Sequence, residues 1–143
     1  MRLQEDAEIA ALWPNIKTIA VIGVSNKPER PSHKVFSFLC DEGFSAIPVN
    51  PGLAGQSILG RPCVASLDDI DAPIDMVDVF RQGRFLSEIV AAVKGCDIKC
   101  LWTQKGVRDE AAEQEAIAHN VPLVVDRCPK IEIPRLRALG YDL

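Results

Sequence analysis

No apolar run in this 143-residue sequence is long enough to span a membrane, and the basic residues never gather into a run. With a formal net charge of −4, the chain lacks the broad positive footprint that DNA or RNA binding requires. Neither a membrane nor nucleic acid is an expected partner. Histidine is scarce: His33 and His119 lie far apart, with no cysteine at ligand spacing, so no metal site is expected. The five cysteines, Cys40, Cys63, Cys96, Cys100 and Cys128, are odd in number and scattered. The closest two have three residues between them, which fits neither a disulfide framework nor a thioredoxin-like pair. The opening segment MRLQEDAEIAALWP is acidic and amphipathic, without the basic start and apolar centre of a signal peptide, so a cytoplasmic protein is expected. Internal repeats and low-complexity segments are also absent.

What remains is a balanced composition, 48% hydrophobic and 25% charged, that suits one globular domain over residues 1–143. Apolar, β-rich runs at Lys17–Gly23, Ser45–Val49, Met76–Phe80, Lys99–Thr103 and Leu123–Asp126 predict five buried strands. Helical patterns occupy Gln4–Leu12, Ser32–Glu42, Arg84–Lys94 and Asp109–His119, with a turn of helix at Ser66–Ile70 and a short C-terminal helix or tail from Ile131. Ser32 is expected to cap the second helix and Gly43 to end it, while Ser66 precedes two acidic residues suited to a helix start. The segment Pro51–Pro62 reads as a loop. Parallel strands need crossover connections, so this alternation predicts an α/β, doubly wound five-stranded parallel sheet with helices on both faces.

Such sheets bind ligands outside the carboxyl ends of their strands. At the first of these ends the apolar run IAVIG stops at Gly23 and gives way to VSNKPERPS before the next helix. Backbone N–H groups and the positive end of a helix would face an anion there, with hydroxyls at Ser25 and Ser32 and cations at Lys27, Arg30 and Lys34. An ordinary strand-to-helix connection with solvated charges would look similar. A dinucleotide-binding G-x-G-x-x-G is missing, and the second strand ends in Val49-Asn50-Pro51 without the acidic residue that holds ribose hydroxyls. NAD is therefore disfavoured. A ligand carrying a phosphate besides its pyrophosphate suits the cationic loop better, and both coenzyme A (CoA) and NADP meet that description.

An ordered series of motifs narrows the choice: Gly23-Val24-Ser25, Arg30 and Ser32, Pro48-Val49-Asn50-Pro51, Gly60, Ser66-Leu67, Asp78-Val79-Phe80-Arg81, Trp102 with Gln104 and Gly106, and Asp126-Arg127-Cys128-Pro129. Over roughly residues 15–137 the chain resembles the small stand-alone CoA-binding proteins, which are similar to the CoA-binding N-terminal domain of the succinyl-CoA synthetase alpha subunit. Thr103 departs from the larger apolar residue often found there. The resemblance implies a Rossmann-like domain with CoA lying across the strand ends. On it, Gly23, Ser25, Arg30 and Ser32 would hold phosphates, and Val49, Asn50 and Pro51 would line the nucleotide pocket; Val24 and Lys27, in the same loop, are expected to join the binding site. Phe80 and Arg81 would form another wall.

Other strand-end residues carry both structural and ligand-binding readings. Trp102 is most simply a core or rim aromatic, with a direct ligand contact as the alternative. Gln104 would face the crevice and hydrogen-bond an amide of pantetheine, or else cap the next loop. Cys128 follows Arg127, a cation that would favour thiolate, and would lie near the thiol of bound CoA, within reach of a mixed disulfide. Asp68, Asp69, Asp71, Asp75 and Asp78 read as solvated or capping carboxylates. No nucleophile, base and acid come together in the sequence, and the 143 residues leave no room for a phosphohistidine loop with an ATP-grasping partner. The expected activity is binding of CoA or an acyl-CoA as a carrier, sensor or regulatory module, with no evident catalytic machinery. An NADP-dependent oxidoreductase, or an acyl-CoA enzyme active only with a partner subunit, is the alternative. A protein partner or homodimer stays open.

Overall fold

Strand β1 (Thr18–Ile22) is buried along nearly its whole length, because its β-branched side chains alternate between two apolar faces. It pairs in parallel with β2 (Ser45–Val49) on one side and β3 (Met76–Val79) on the other. Strands β4 (Cys100–Thr103) and β5 (Leu123–Val124) follow β3, so the all-parallel sheet runs β2-β1-β3-β4-β5. The structure, a computed structural model, describes residues 1–143.

Helices α1 (Asp6–Leu12), α2 (Pro31–Asp41) and α5 (Pro129–Ala138) cover one face, where Ile9, Trp13, Phe36, Leu39, Ile133 and Leu136 pack with Ile19, Val21 and Trp102. Helices α3 (Leu86–Val93) and α4 (Glu110–Ala118) cover the other, bringing Leu86, Val90, Ala112 and Ala116 against Ala20, Val77 and Leu101. The expected doubly wound, Rossmann-like α/β fold is present.

Several local expectations give way to tertiary contacts. Residue 30 is the cap of α2 and Pro31 its first residue, so Ser32 does not cap the helix; it is buried, and its Oγ accepts from the Ser25 N–H. The stretch Pro51–Pro62 is more than a loop: it holds a 3-10 turn at Pro51–Leu53 and an antiparallel pair, Ser57–Ile58 with Arg61–Pro62. Strand β5 stops two residues early because Asp126 turns to φ +60°, with its N–H donating to Thr103 Oγ1. The C-terminal segment is a full ten-residue helix. Gly43 ends α2 as expected, at φ +93°, and Ser66 forms a capping box with Asp69.

Candidate functional site

From β1 the chain passes to β2 on one side and then crosses to β3 on the other, so the crevice between the carboxyl ends of β1 and β3 is the switch point where open α/β sheets bind ligands. Gly23 stands at its mouth with φ +93°. A Cβ there would lie 3.3 Å from both the Phe80 carbonyl carbon and Arg81 Cγ, so both the backbone turn and the space call for glycine. The Gly23 N–H donates to the Val49 carbonyl (2.8 Å) and the Phe80 N–H to the Ile22 carbonyl (2.8 Å), tying the ends of β1, β2 and β3 together.

The loop beyond Gly23 is internally braced. Val24 is fully buried as its anchor. The Ser25 N–H donates to Ser32 Oγ (3.0 Å), and Ser25 Oγ accepts from the Lys27 N–H (3.1 Å). Around it opens a cavity of about 520 Å³ lined by Gly23, Ser25, Lys27, Arg30, Ser32 and Phe80, with Pro31 at its base. No carboxylate lines this cavity, and neither Lys27 nor Arg30 takes part in any of the protein's ion pairs. The first turn of α2 has no side-chain cap, so its N–H groups and dipole add to the positive potential. Two uncompensated cations at a helix N-terminus, beside a glycine cradle, give this cavity a chemistry that suits an anion.

A second hollow, about 160 Å³, opens on the other side of β1 between the end of β2 and α3. Its walls are mostly apolar, with Ile22, Val49, Pro51, Leu67 and Ile89; the carboxylates Asp68 and Glu88 also line it, and Arg81 reaches it from the loop after β3. Arg81 carries no ion pair; its guanidinium lies 3.8 Å from the centre of the Phe85 ring. Asn50, which follows β2, is engaged at both ends of its amide. Its Nδ2 donates to the Val24 carbonyl (2.9 Å) and its Oδ1 accepts from the Gly52 N–H (2.9 Å), so it fixes the spacing of the first and second loops. Leu67 belongs to the Ser66-Leu67 motif, whereas Ile89 carries no sequence signal beyond its helical spacing.

The ends of β4 and β5 differ from expectation. Trp102 is fully buried, its ring tilted against Trp13 with centroids 5.2 Å apart, and its indole N–H donates to the Arg127 carbonyl (2.8 Å). Its large ring fills the core under α1, which closes it to a ligand. Gln104 is 5% exposed, and its amide nitrogen donates to both carboxylate oxygens of Asp78, at 2.8 and 3.0 Å. Asp78 is therefore neither solvated nor a cap: it is wholly buried, and burial raises its pKa to about 7 against the lowering effect of the Gln104 hydrogen bond. Asp75 does cap, accepting from the N–H groups of Lys17 (2.8 Å) and Thr18 (3.0 Å).

Cys128 is half-buried, and burial pushes its thiol up rather than down. The cation expected to favour thiolate is directed elsewhere: Arg127 donates to Glu132 Oε1 (2.7 Å) and to the Gln4 carbonyl (3.0 Å). Cys128 lines a separate hollow of about 340 Å³ with Arg2, Lys105 and Arg127. The structure thus brings Gly23, Ser25, Lys27, Arg30, Ser32 and Phe80 into one cavity and Val49, Pro51 and Arg81 into its neighbour. It keeps Val24 and Trp102 inside and places Cys128 apart. The largest hollow, about 630 Å³, lies along the outer edge of β2 and holds none of the predicted site residues. No helix is long and apolar enough to cross a membrane.

Comparison with known proteins gives a consistent picture. Residues 17–134 match the CoA binding domain family. The chain is 36% identical over 131 residues to the uncharacterized protein YneT of Bacillus subtilis (strain 168), covering 92% of this chain and 96% of that one. A solved Thermus thermophilus structure is similar at 36% identity and a TM-score of 0.88, over 93% of this chain and 99% of that protein. An acetyl-coenzyme A synthetase of Ca. Korarchaeum cryptofilum shares the fold at 17% identity and a TM-score of 0.63, over 75% of this chain and 25% of the synthetase.

Proposed function

The chain belongs to the CoA binding domain family, and from that premise we propose that it binds CoA or an acyl-CoA as a carrier, sensor or regulatory module. The observation that carries this reading is the cavity at the end of β1, where Lys27 and Arg30 stand without acidic partners at the N-terminus of α2. Phosphates of the ligand lie against Gly23, Ser25, Lys27, Arg30 and Ser32. The nucleotide side extends toward Val49, Pro51 and Arg81, where mostly apolar walls and a free guanidinium suit a base and its sugar phosphate. Phe80 forms a wall of the phosphate cavity, and Asn50, at the end of β2, ties the first loop to the second beside the nucleotide side.

Replacing Arg30 with alanine removes one charge-assisted contact and weakens CoA binding by roughly tenfold or more. Ser32→Ala frees the Ser25 N–H and loosens the loop. Titration calorimetry on ligand-stripped protein checks both, and full affinity in the Arg30→Ala, Ser32→Ala double variant overturns the placement of the phosphates.

A further inference from the structure

Asp78 is an expensive residue to keep where it stands. It lies in the central strand β3, flanked in register by Val21 and Trp102, with none of its surface exposed. Alternation along β3 sends Met76 to the α1/α2/α5 face and Val77 and Val79 to the opposite one, so Asp78 projects into the first apolar layer. Its side-chain partner is Gln104, whose Nε2 lies 2.8 and 3.0 Å from the two carboxylate oxygens. An apolar residue at this position would avoid the cost of a buried carboxyl.

The pair does something an apolar contact cannot. Once ionised, as at pH 8, the Asp78 carboxylate only accepts hydrogen bonds, and the nitrogen is the only donor of a glutamine amide. The amide of Gln104 is thereby held nitrogen-inward, which turns Oε1 outward. That oxygen has no partner within the protein and is not one of the buried polar atoms left without one, which are Arg2 Nε and Trp13 Nε1. The backbone of Gln104 is also fixed: its N–H donates to the Val79 carbonyl (3.2 Å) and its carbonyl accepts from the Val107 N–H (3.0 Å). The result is an immobilised acceptor at the carboxyl end of β4, two strands along the sheet from the phosphate loop, a lateral distance of roughly 10 Å.

We propose that Asp78 is a positioning residue: it orients the Gln104 amide so that Oε1 accepts a hydrogen bond from an amide N–H of the pantetheine arm of CoA. The assignment rests on the CoA reading above. Both amides of the arm offer N–H donors, and a ligand presenting only acceptors at that point is disfavoured by facing lone pairs.

The test compares CoA with adenosine 3′,5′-bisphosphate, which lacks the arm, by calorimetric titration at pH 8 into the wild type, Asp78→Val, Asp78→Asn, Gln104→Ala and the Asp78→Val, Gln104→Ala double variant. Asp78→Val and Gln104→Ala each weaken CoA roughly five- to tenfold, the equivalent of one neutral hydrogen bond. The double variant loses no more than either single one. Asp78→Asn, which keeps an acceptor facing Nε2, stays within about twofold of the wild type. The bisphosphate binds all five proteins alike. CoA affinity unchanged in Asp78→Val and Gln104→Ala overturns the proposal while leaving CoA binding intact, and so does a parallel loss of bisphosphate affinity, which reports a structural role. A wild type that binds neither ligand overturns the proposal together with the functional reading on which it rests.

Discussion

Replacing Asp78 with asparagine stabilises the folded chain, and stabilises it more at pH 8 than at pH 5. The carboxyl is wholly buried and its pKa is raised from 3.8 to about 7, with burial as the largest cause. Between those values the native state holds a proton that the unfolded chain has released, so stability falls as pH rises through that window and levels off above it. At about 1.4 kcal/mol per pH unit the whole window corresponds to roughly 4 kcal/mol, of which 2–3 kcal/mol falls between pH 5 and pH 8. Other shifted carboxylates do not interfere. Asp6, Asp75, Glu113 and Glu132 are held below their ordinary values, so their contribution is complete above about pH 5 and is lost only as pH falls further. Asparagine keeps the shape and an acceptor for Gln104 while removing the titration. Urea unfolding of both proteins across pH 5–8 measures the difference directly. In thermal scans the gap between the two midpoints widens by roughly 6–10 °C over the same range. Parallel pH profiles refute the reasoning, because they require the carboxyl to titrate alike in the folded and unfolded chain.

Other outcomes follow from single contacts. Gly83→Ala destabilises the fold by about 2–3 kcal/mol or more, since its Cβ would fall 2.0 Å from the Arg108 carbonyl oxygen, backbone against backbone; urea unfolding measures the loss. Gly23→Ala costs about 1–2 kcal/mol through its positive φ alone, and by pushing Phe80 and Arg81 aside it also weakens CoA binding in the same titration used for Arg30→Ala. Cys128, half-buried with its thiol pushed up, stays unmodified by iodoacetamide at pH 7.5 under conditions that alkylate the exposed Cys96, as peptide mass spectrometry will show. Rapid alkylation of Cys128 contradicts the burial on which that expectation stands.

The parallel sheet could be read from the sequence because buried parallel strands are apolar along their length. TIAVI, MVDV and CLWT stand out against polar surroundings, and the glycine after the first marks where the chain leaves the sheet. The cationic cavity after β1 was legible for a related reason: glycine, hydroxyls and cations concentrate in one short connection, and the fold gathers them around one hollow. Side-chain partnerships across the sheet were not. Asp78 sits among other aspartates that do cap or face solvent, and only the register of β3 beside β4 brings it under Gln104. Trp102 and Cys128 follow the same strand-end rule as Phe80, yet α1 packing over the sheet closes off the first, and the Arg127–Glu132 pair removes the cation from the second. Ser32 has the chemistry of a helix cap, but Pro31 already occupies the first helical position, which leaves its hydroxyl free to brace the loop after β1.

The central claim is that the cationic cavity receives the phosphates of CoA, and its most direct test is calorimetric titration of ligand-stripped protein with CoA, dephospho-CoA and NADP under one set of conditions. Saturable binding of CoA that weakens when the 3′-phosphate is removed, with NADP binding more weakly than CoA, is the predicted result. Binding of NADP at concentrations where CoA has no effect would contradict it and make a nicotinamide-dependent reductase the reading to pursue.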